Sequence, residues 1–195
     1  MESPINKTEI SRSGEAKVIE ATLREKQVDI SSLDDVEDLA SRGYGKLKEK
    51  KLVLTLCEAL FLVSKGIIDV KESKTRKKVD FHGLLSRYQT LDDNAWAKYL
   101  IYRDLRSRGY VAREGFGLGL DFRVYERGEY GTSNAKNLVL GVQEGKPMTM
   151  EDLQGALRHA HSLKKNLVLA VLNRRGEVVY YSLSRLVLRK MDAKS

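Results

Sequence analysis

The chain has 195 residues, of which 42% are hydrophobic and 32% are charged. This is enough apolar material for a core, so the composition excludes a wholly disordered chain and indicates one large domain or two small ones. Lys and Arg number 35 against 27 Asp and Glu, and the net charge of +8 favours an anionic partner.

Several sequence features bear on cellular location. No apolar run approaches the ~18 residues that a membrane helix needs, and the N-terminus has no basic region followed by an apolar stretch, as a secretory signal would. The single cysteine, Cys57, cannot form an internal disulfide, and its apolar surroundings indicate a small buried side chain. We therefore expect no membrane contact and a cytoplasmic location. Only 4 Gln and 6 Asn accompany the many charges, which hints at a thermophile.

The first half of the chain, residues 17–90, is predicted to be a small α/β domain behind a flexible polar tail over residues 1–16. Capping residues, β-branched runs and apolar spacing indicate its elements. In chain order these are a strand over residues 18–23, a short helix capped by Ser32, a helix over 55–65, a strand over 67–70 and a helix over 81–88.

The second half, residues 91–195, begins at a polar stretch over residues 90–94 that also supplies a helix N-cap. Its basic residues exceed its acidic ones by 6, against 2 for residues 1–90, so it is the better candidate for phosphate contact. The predicted elements are a helix over 94–108, strands over 110–113, 121–126 and 137–142, a helix over 149–165, and strands over 167–172 and 178–183 joined by a turn at 173–176. The predicted fold class is α/β, or α+β, with two modules in tandem.

Two motifs suggest nucleotide or metal chemistry, and each has an ordinary alternative. The glycine-rich residues 115–120 precede a strand rather than a helix, so they are predicted to form a flexible turn and not a phosphate-binding loop. Asp121, Glu144 and Lys146 could form a metal-dependent nuclease site in which the two carboxylates hold Mg²⁺. Residues 144–147 are also typical of a simple turn.

A basic stripe is predicted near the end of the helix over residues 149–165. Arg158, His161 and Lys165 are spaced i, i+3 and i+7, which places them on one helix face. Cations also interact favourably with the carboxyl end of a helix, so a solvated basic helix end is the simpler interpretation.

The order of several segments resembles the archaeal tRNA-splicing endonuclease family. These segments are YLIYRDLRSRGY over residues 99–110, DFRVYERG over 121–128, the basic helix over 158–165, LVLAVL over 167–172 and GEVVYY over 176–181. The resemblance is strong over residues 94–188 and weaker over 50–90. It implies a small N-terminal α/β domain and a restriction-endonuclease-like C-terminal domain, in which helices flank a mixed sheet.

This resemblance implies a metal-independent RNA endonuclease, with no cofactor, that acts on precursor tRNA at bulge-helix-bulge sites. The ribose 2′-hydroxyl attacks the adjacent phosphate, leaving a 2′,3′-cyclic phosphate and a 5′-hydroxyl. Such a reaction needs a base, an acid and a cation. Tyr125 matches the tyrosine that the family uses as the presumed base, and Lys165 matches its lysine. Arg158 matches an arginine that holds a bulged base by a cation–π contact.

Two positions depart from the family pattern. Asn134 stands where the family has its histidine, and an amide cannot serve as a general acid near neutral pH. The turn over residues 173–176 is often acidic in the family and docks on a neighbouring subunit, whereas here it carries Arg174 and Arg175. Docking of the family type is therefore in doubt.

The missing histidine favours a structural subunit that completes a heterotetramer with a catalytic endonuclease subunit and positions precursor tRNA. Tyr125 and Lys165 would then be vestigial. The resemblance further suggests a subunit contact by strand pairing over residues 180–188. Three alternatives remain: a catalytically competent subunit that uses Tyr125 and Lys165, an RNA-binding assembly module without a part in splicing, and the metal-dependent nuclease.

Overall fold

The computed structural model describes residues 18–117 and 119–184. The predictions for residues 1–16, and for strand pairing over residues 185–188, fall outside these ranges. Within the described part of the chain, no helix is long and apolar enough to cross a membrane.

The N-terminal half is built on a six-stranded mixed sheet with the order β3-β4-β2-β1-β5-β6. The central strands β1 and β5 are parallel, and the remaining neighbours are antiparallel. The strands are β1 (Ile19–Leu23), β2 (Gln27–Ile30), β3 (Lys46–Lys48), β4 (Lys51–Thr55), β5 (Ile68–Glu72) and β6 (Lys78–Val79).

Three helices accompany this sheet: α1 (Leu33–Ser41), α2 (Leu56–Ser64) and α3 (Phe81–Gln89). Helix α2 begins with a capping box, in which the Thr55 side chain accepts from the Glu58 amide while Glu58 accepts from the Thr55 amide. Buried side chains cover most of its surface, as expected of a helix enclosed by other elements. Helix α2 therefore forms the centre of this half, and Cys57 is buried in it as predicted.

The C-terminal half is a five-stranded mixed sheet with the order β11-β10-β9-β8-β7, flanked by two helices. Strands β9 and β10 are parallel, and the other neighbours are antiparallel. The elements are α4 (Ala95–Ser107), β7 (Val111–Gly117), β8 (Leu120–Tyr125), β9 (Asn137–Gln143), α5 (Met150–Ser162), β10 (Asn166–Leu172) and β11 (Val178–Leu183). The predicted mixed α/β class is confirmed.

One hydrophobic core runs through both halves. Phe61 of α2 packs edge-on against Tyr102 of α4, with ring centroids 5.6 Å apart, and Tyr102 lies 5.8 Å from the ring of Phe122 on β8. Helix α4 is therefore enclosed between α2 and the second sheet.

A buried ion pair also joins the halves. Arg113 of β7 donates from Nη1 to Oε1 of Glu58 at 2.9 Å and to the Gly43 carbonyl at 3.0 Å, and from Nη2 to the Gly45 carbonyl. Both charged side chains are almost fully buried, with exposed fractions of 6% for Arg113 and 4% for Glu58. Buried charges are tolerated when their hydrogen bonds are satisfied, and here every Glu58 oxygen has a donor.

The glycine-rich segment differs from its prediction. Strand β7 continues through Gly117 instead of ending at Arg113, and it pairs with β8 as a hairpin whose register shifts between Glu114 and Gly117. A Cβ atom at Gly115 would lie 2.1 Å from the Leu120 carbonyl oxygen, so glycine is required there by close backbone approach. Strands β2, β3, β4 and β6 were also missed by the sequence patterns, because β3 and β6 are very short, β2 is entered through a tight turn, and β4 leads directly into α2.

The predicted helix over residues 149–165 is too long. Helix α5 ends at Ser162, Lys164 adopts a left-handed backbone conformation with φ of 54°, and the Lys165 amide donates to the Ala160 carbonyl. This is the geometry of a helix C-terminus. Arg158 and His161 lie on α5, but Lys165 lies in the connection to β10, so the prediction of one helical stripe containing all three was wrong.

Candidate functional site

The strand order brings three chain segments to one end of the second sheet. Val124 near the end of β8 pairs with Asn137 at the start of β9, and Asn137 pairs with Asn166 at the start of β10. Tyr125 follows Val124 directly, and Lys165 precedes Asn166. Tyr125, Lys165 and the loop over residues 126–136 therefore meet at this end, which we call the candidate site.

Tyr125 is the last residue of β8 and is half-buried. Its ring packs edge-on against Tyr130, with centroids 5.1 Å apart and planes at 86°. Within residues 18–117 and 119–184 its hydroxyl has no hydrogen-bond partner. Among the described residues, the tyrosine is thus held by its ring and not by its phenolic oxygen.

Glu129 organises the loop that connects β8 to β9. Its carboxylate accepts from the Ser133 hydroxyl and from Nζ of Lys136 at 2.9 Å, and its carbonyl accepts from the amides of Thr132 and Ser133. The hydrogen bond from Lys136 is the main cause that lowers the pKa of the Glu129 carboxyl below its ordinary value. This loop is fixed by its own side chains and presents Asn134 on its surface.

Lys165 is tied directly to that loop. Its ammonium group donates to the carbonyl of Ala135, the residue after Asn134, and the side chain is half-buried. Asn134 itself is exposed. The sequence-predicted residues Tyr125, Asn134 and Lys165 thus belong to adjoining segments, although 40 positions separate the first from the last.

Histidine is absent from this end of β8 and from the loop. His82 lies on α3, while His159 and His161 lie in the last turn of α5. Nε2 of His159 is buried without a hydrogen-bond partner among the described residues, and His161 is exposed. The loop that carries Asn134 therefore has no histidine that could take the place of the missing one.

Arg158 is exposed on α5 and lines a different, open groove. Lys98, Asp121 and Met148 line this groove with it, whereas Tyr125 and Lys165 do not. The structure separates the predicted base-holding arginine from the candidate site of the same chain.

The three residues of the hypothetical metal site each bind different partners within the protein. Asp121 accepts from the Gly141 amide and forms an ion pair with Lys98 at 3.0 Å. Glu144 accepts from the Arg174 amide, and Lys146 donates to Asn94. Among the described residues there is no group of three or more His, Cys, Asp or Glu placed to hold a metal ion. The geometry gives the Asp121, Glu144 and Lys146 hypothesis no support.

Comparison with known proteins explains this architecture. The family described as tRNA intron endonuclease, catalytic C-terminal domain, matches residues 95–180, and its N-terminal domain matches residues 19–85. The chain belongs to the tRNA intron endonuclease family. The tRNA-splicing endonuclease of Methanococcus maripaludis is 37% identical over 172 residues, which cover 88% of this chain and 97% of that protein. The tRNA-splicing endonuclease of Pyrococcus furiosus is 38% identical over 141 residues, covering 72% and 80%.

Some structurally important residues of this family member were missed from the sequence. Tyr130 and Glu129 hold the tyrosine and the loop, and neither belongs to a periodic pattern that would reveal its role. The capping role of Glu58 could have been predicted, because Thr55-x-x-Glu58 is a capping-box motif ahead of an apolar helix. Its ion pair with Arg113 could not, because the two residues are 55 positions apart and no local pattern links them.

Proposed function

We propose that this chain is the structural subunit of a tRNA-splicing endonuclease that excises introns from precursor tRNA at bulge-helix-bulge sites. The observation that carries this proposal is Asn134, an exposed amide on the loop that follows Tyr125 and accepts a hydrogen bond from Lys165 at Ala135. The described part of that loop contains no group that can release a proton near neutral pH in the way a histidine does.

The chemistry of RNA cleavage explains why the proposal depends on Asn134. Cleavage by the 2′-hydroxyl leaves a 2′,3′-cyclic phosphate and a 5′-hydroxyl, so the departing 5′-oxygen must be protonated. An amide can donate a hydrogen bond but cannot transfer the proton. General acid–base catalysis contributes roughly 10²–10⁴-fold to a rate, so cleavage by this chain alone is expected to be slow by that factor.

In this proposal the chain supports assembly and positions RNA within a heterotetramer that contains a catalytic subunit. Arg158 contacts RNA, since its guanidinium is exposed and lines an open groove. The chain divides near residue 91 into an N-terminal domain and a nuclease-like C-terminal domain, and acts in the cytoplasm. Arg174 and Arg175 are both exposed, so the 173–176 turn offers a partner positive charge rather than acidic side chains.

A catalytically competent subunit is the second candidate, and a specific observation favours it. Lys165 is held beside the Asn134 loop, and the Tyr125 hydroxyl has no partner within residues 18–117 and 119–184. This alternative assigns two of the three groups that the reaction needs to Tyr125 and Lys165. On this alternative Tyr125 acts as the base and Lys165 stabilises the charged phosphate.

Cleavage of a bulge-helix-bulge RNA in the absence of metal tests these candidates. The purified chain is assayed alone and after mixing with a histidine-bearing homologous subunit from the same source. We expect cleavage only in the mixture, together with a complex on gel filtration. Cleavage by the chain alone would establish the competent-subunit alternative. RNA binding without cleavage or complex formation in either sample would instead support an RNA-binding module outside splicing.

A further inference from the structure

Basic side chains line a surface of the N-terminal half that the candidate site does not use. Two open grooves adjoin there and share Lys26 and Gln27 as lining residues. We call the combined surface the N-terminal basic groove. Its exposed cations are Arg24, Lys26, Lys46, Lys48, Lys74 and Arg87.

Three lysines of this groove take no part in its ion pairs, although the exposed Glu25 beside Lys26 also lines it. Arg24 pairs with Asp29 at 2.5 Å, Arg87 with Glu72 at 3.6 Å, and Lys46 with Glu114 at 3.9 Å. Lys26, Lys48 and Lys74, by contrast, form no ion pair with any described residue. Two other lysines of the same sheet are paired, Lys71 with Glu20 and Lys78 with Asp69, whereas the exposed Lys51 of β4 forms no ion pair with a described residue.

The backbone holds these three lysines in fixed relative positions. Lys26 lies in the β1–β2 turn, which the bond from the Arg24 amide to the Gln27 carbonyl closes at 2.8 Å. Lys74 lies in the β5–β6 turn, and the Ser73 amide ties that turn to the end of β1 through the Leu23 carbonyl. Lys48 ends β3 and pairs with Lys51. Three separate connections therefore present ammonium groups to one surface.

We propose that the N-terminal basic groove binds the phosphate backbone of the precursor RNA, away from the cleavage site. Lysines without acidic partners are compact point charges that suit phosphates, and such contacts position a nucleic acid without reading its sequence. This inference rests on the proposed function, because it assigns a second contact surface for the same RNA.

The lining residues place this groove beside surfaces that lead toward Arg158. Tyr88 and Leu91 line both the basic groove and a cleft that reaches Lys98 and Asp121. Lys98 and Asp121 in turn line the groove of Arg158. Lys98 is neutralised by Asp92 and Asp121 in the middle of this path, so the positive contacts lie at its two ends.

The test compares two triple variants of the full chain. One replaces Lys26, Lys48 and Lys74 with Gln, and its matched control replaces Lys65, Lys71 and Lys78 with Gln. Both sets remove three exposed or half-exposed lysine charges, but the control lysines lie outside the groove. Binding to a bulge-helix-bulge RNA is measured by fluorescence anisotropy over a range of salt concentrations, with circular dichroism as the check on folding.

We expect the groove variant to bind about 10–100-fold more weakly near 0.1 M salt, with a salt dependence reduced by about one unit of log–log slope per lysine. The control should stay within about threefold of the native chain, as a general change of net charge allows. Equal weakening of RNA binding in both triple variants would contradict the proposal that the groove binds RNA.

Two further outcomes separate this inference from the proposed function. If the native chain binds RNA tightly and the groove variant binds it with the same affinity, only the proposed RNA contact of the groove is contradicted. Weaker association of that variant with the catalytic subunit would then identify an acidic protein surface as the occupant. A native chain that binds no RNA would contradict both proposals.

Discussion

Asn134 is an exposed amide on the loop between β8 and β9, next to the segments that carry Tyr125 and Lys165. Lys165 is bonded to the next residue of that loop, and Tyr125 is positioned by its contact with Tyr130. On our proposal the difference between a structural and a catalytic chain depends on this one exposed side chain.

Replacing Asn134 with His is expected to give the chain metal-independent cleavage of a bulge-helix-bulge RNA. The imidazole titrates near neutral pH and can protonate the departing oxygen, so the single-turnover rate should rise by about 10²–10⁴-fold. Asn134→Gln is the control, because it changes the side chain without adding a titratable group. An Asn134→His chain that assembles normally but does not cleave would show that Tyr125 or Lys165 is also misplaced.

Arg113 is expected to be the most sensitive charged residue of the fold. Arg113→Met leaves the buried Glu58 carboxylate without its cation, so the free energy of unfolding should fall by about 3–5 kcal/mol. Lys78→Met, which breaks the exposed pair with Asp69, should cost at most about 1 kcal/mol. Urea titration measures both values. Partial recovery in the Glu58→Gln, Arg113→Met double variant would identify the unpaired charge as the cause, whereas additive losses would count against it.

Asp92 should make stability depend on acidity. Burial opposes its charge, but hydrogen bonds from Lys98 and the Asn94 amide outweigh this and lower its pKa. A carboxyl whose pKa is lower in the folded chain stabilises the fold when the pH is above its pKa in the unfolded chain, near 4. This contribution is lost as the pH falls through its pKa in the folded chain. The native chain should therefore exceed Asp92→Asn in stability at neutral pH but not near pH 2. A constant difference in urea titrations would contradict this, and the exposed Asp93→Asn is the control.

Among the elements, the β7–β8 hairpin depends on one glycine. A Cβ at Gly115 would meet the Leu120 carbonyl at 2.1 Å, so Gly115→Ala must separate the strands and should cost about 1–3 kcal/mol. Gly155→Ala on helix α5 is the matched control, because its Cβ would meet nothing within 4 Å. Alanine there should stabilise the chain by about 0.4–1 kcal/mol. Thermal unfolding should therefore show a lower Tm for Gly115→Ala and a higher Tm for Gly155→Ala. An unchanged Tm for Gly115→Ala would contradict the close approach of Gly115 to the Leu120 carbonyl.

Elements with local signals were predictable from the sequence, and those determined by distant contacts were not. Helices α2 and α3 carry side-chain caps, α4 has apolar spacing although Asn94 makes no capping hydrogen bond, and the predicted limits of all three agree with the structure within a few residues. Strands β3 and β6 have three and two residues and exist only because they pair with β4 and β5. The end of α5 was missed because the left-handed residue there is Lys164, not a glycine.

The candidate site shows the same division. Motif order alone was sufficient to select Tyr125, Asn134 and Lys165, and the strand register places their segments side by side. The bond from Lys165 to the Ala135 carbonyl could not be inferred, because it depends on where α5 ends. Whether Arg158 shares a site with Tyr125 also depends on helix orientation, which sequence spacing leaves open.

At the scale of the whole molecule, the two sheets share a hydrophobic core, so we do not expect them to fold independently. The core cluster includes buried residues from β1 through β11, and α4 packs against α2 on one side and the second sheet on the other. The Glu58–Arg113 pair lies in the same contact region. Partial unfolding of either half would expose Tyr102, whose side chain is almost fully buried, and would separate two charges in an apolar setting.

The chain is therefore expected to unfold in a single cooperative transition. Calorimetry should give one endotherm in which the calorimetric and van't Hoff enthalpies agree, because the larger core cluster is shared by both halves and only a smaller cluster, between α5 and the second sheet, lies within one half. Several protein concentrations are needed, since subunit dissociation would make Tm depend on concentration. Arg113→Met, which removes the ionic link but leaves the aromatic contacts of Tyr102, should lower Tm and retain one transition. Two resolved endotherms in the native chain would show that the halves are stable separately and that the shared core contributes little.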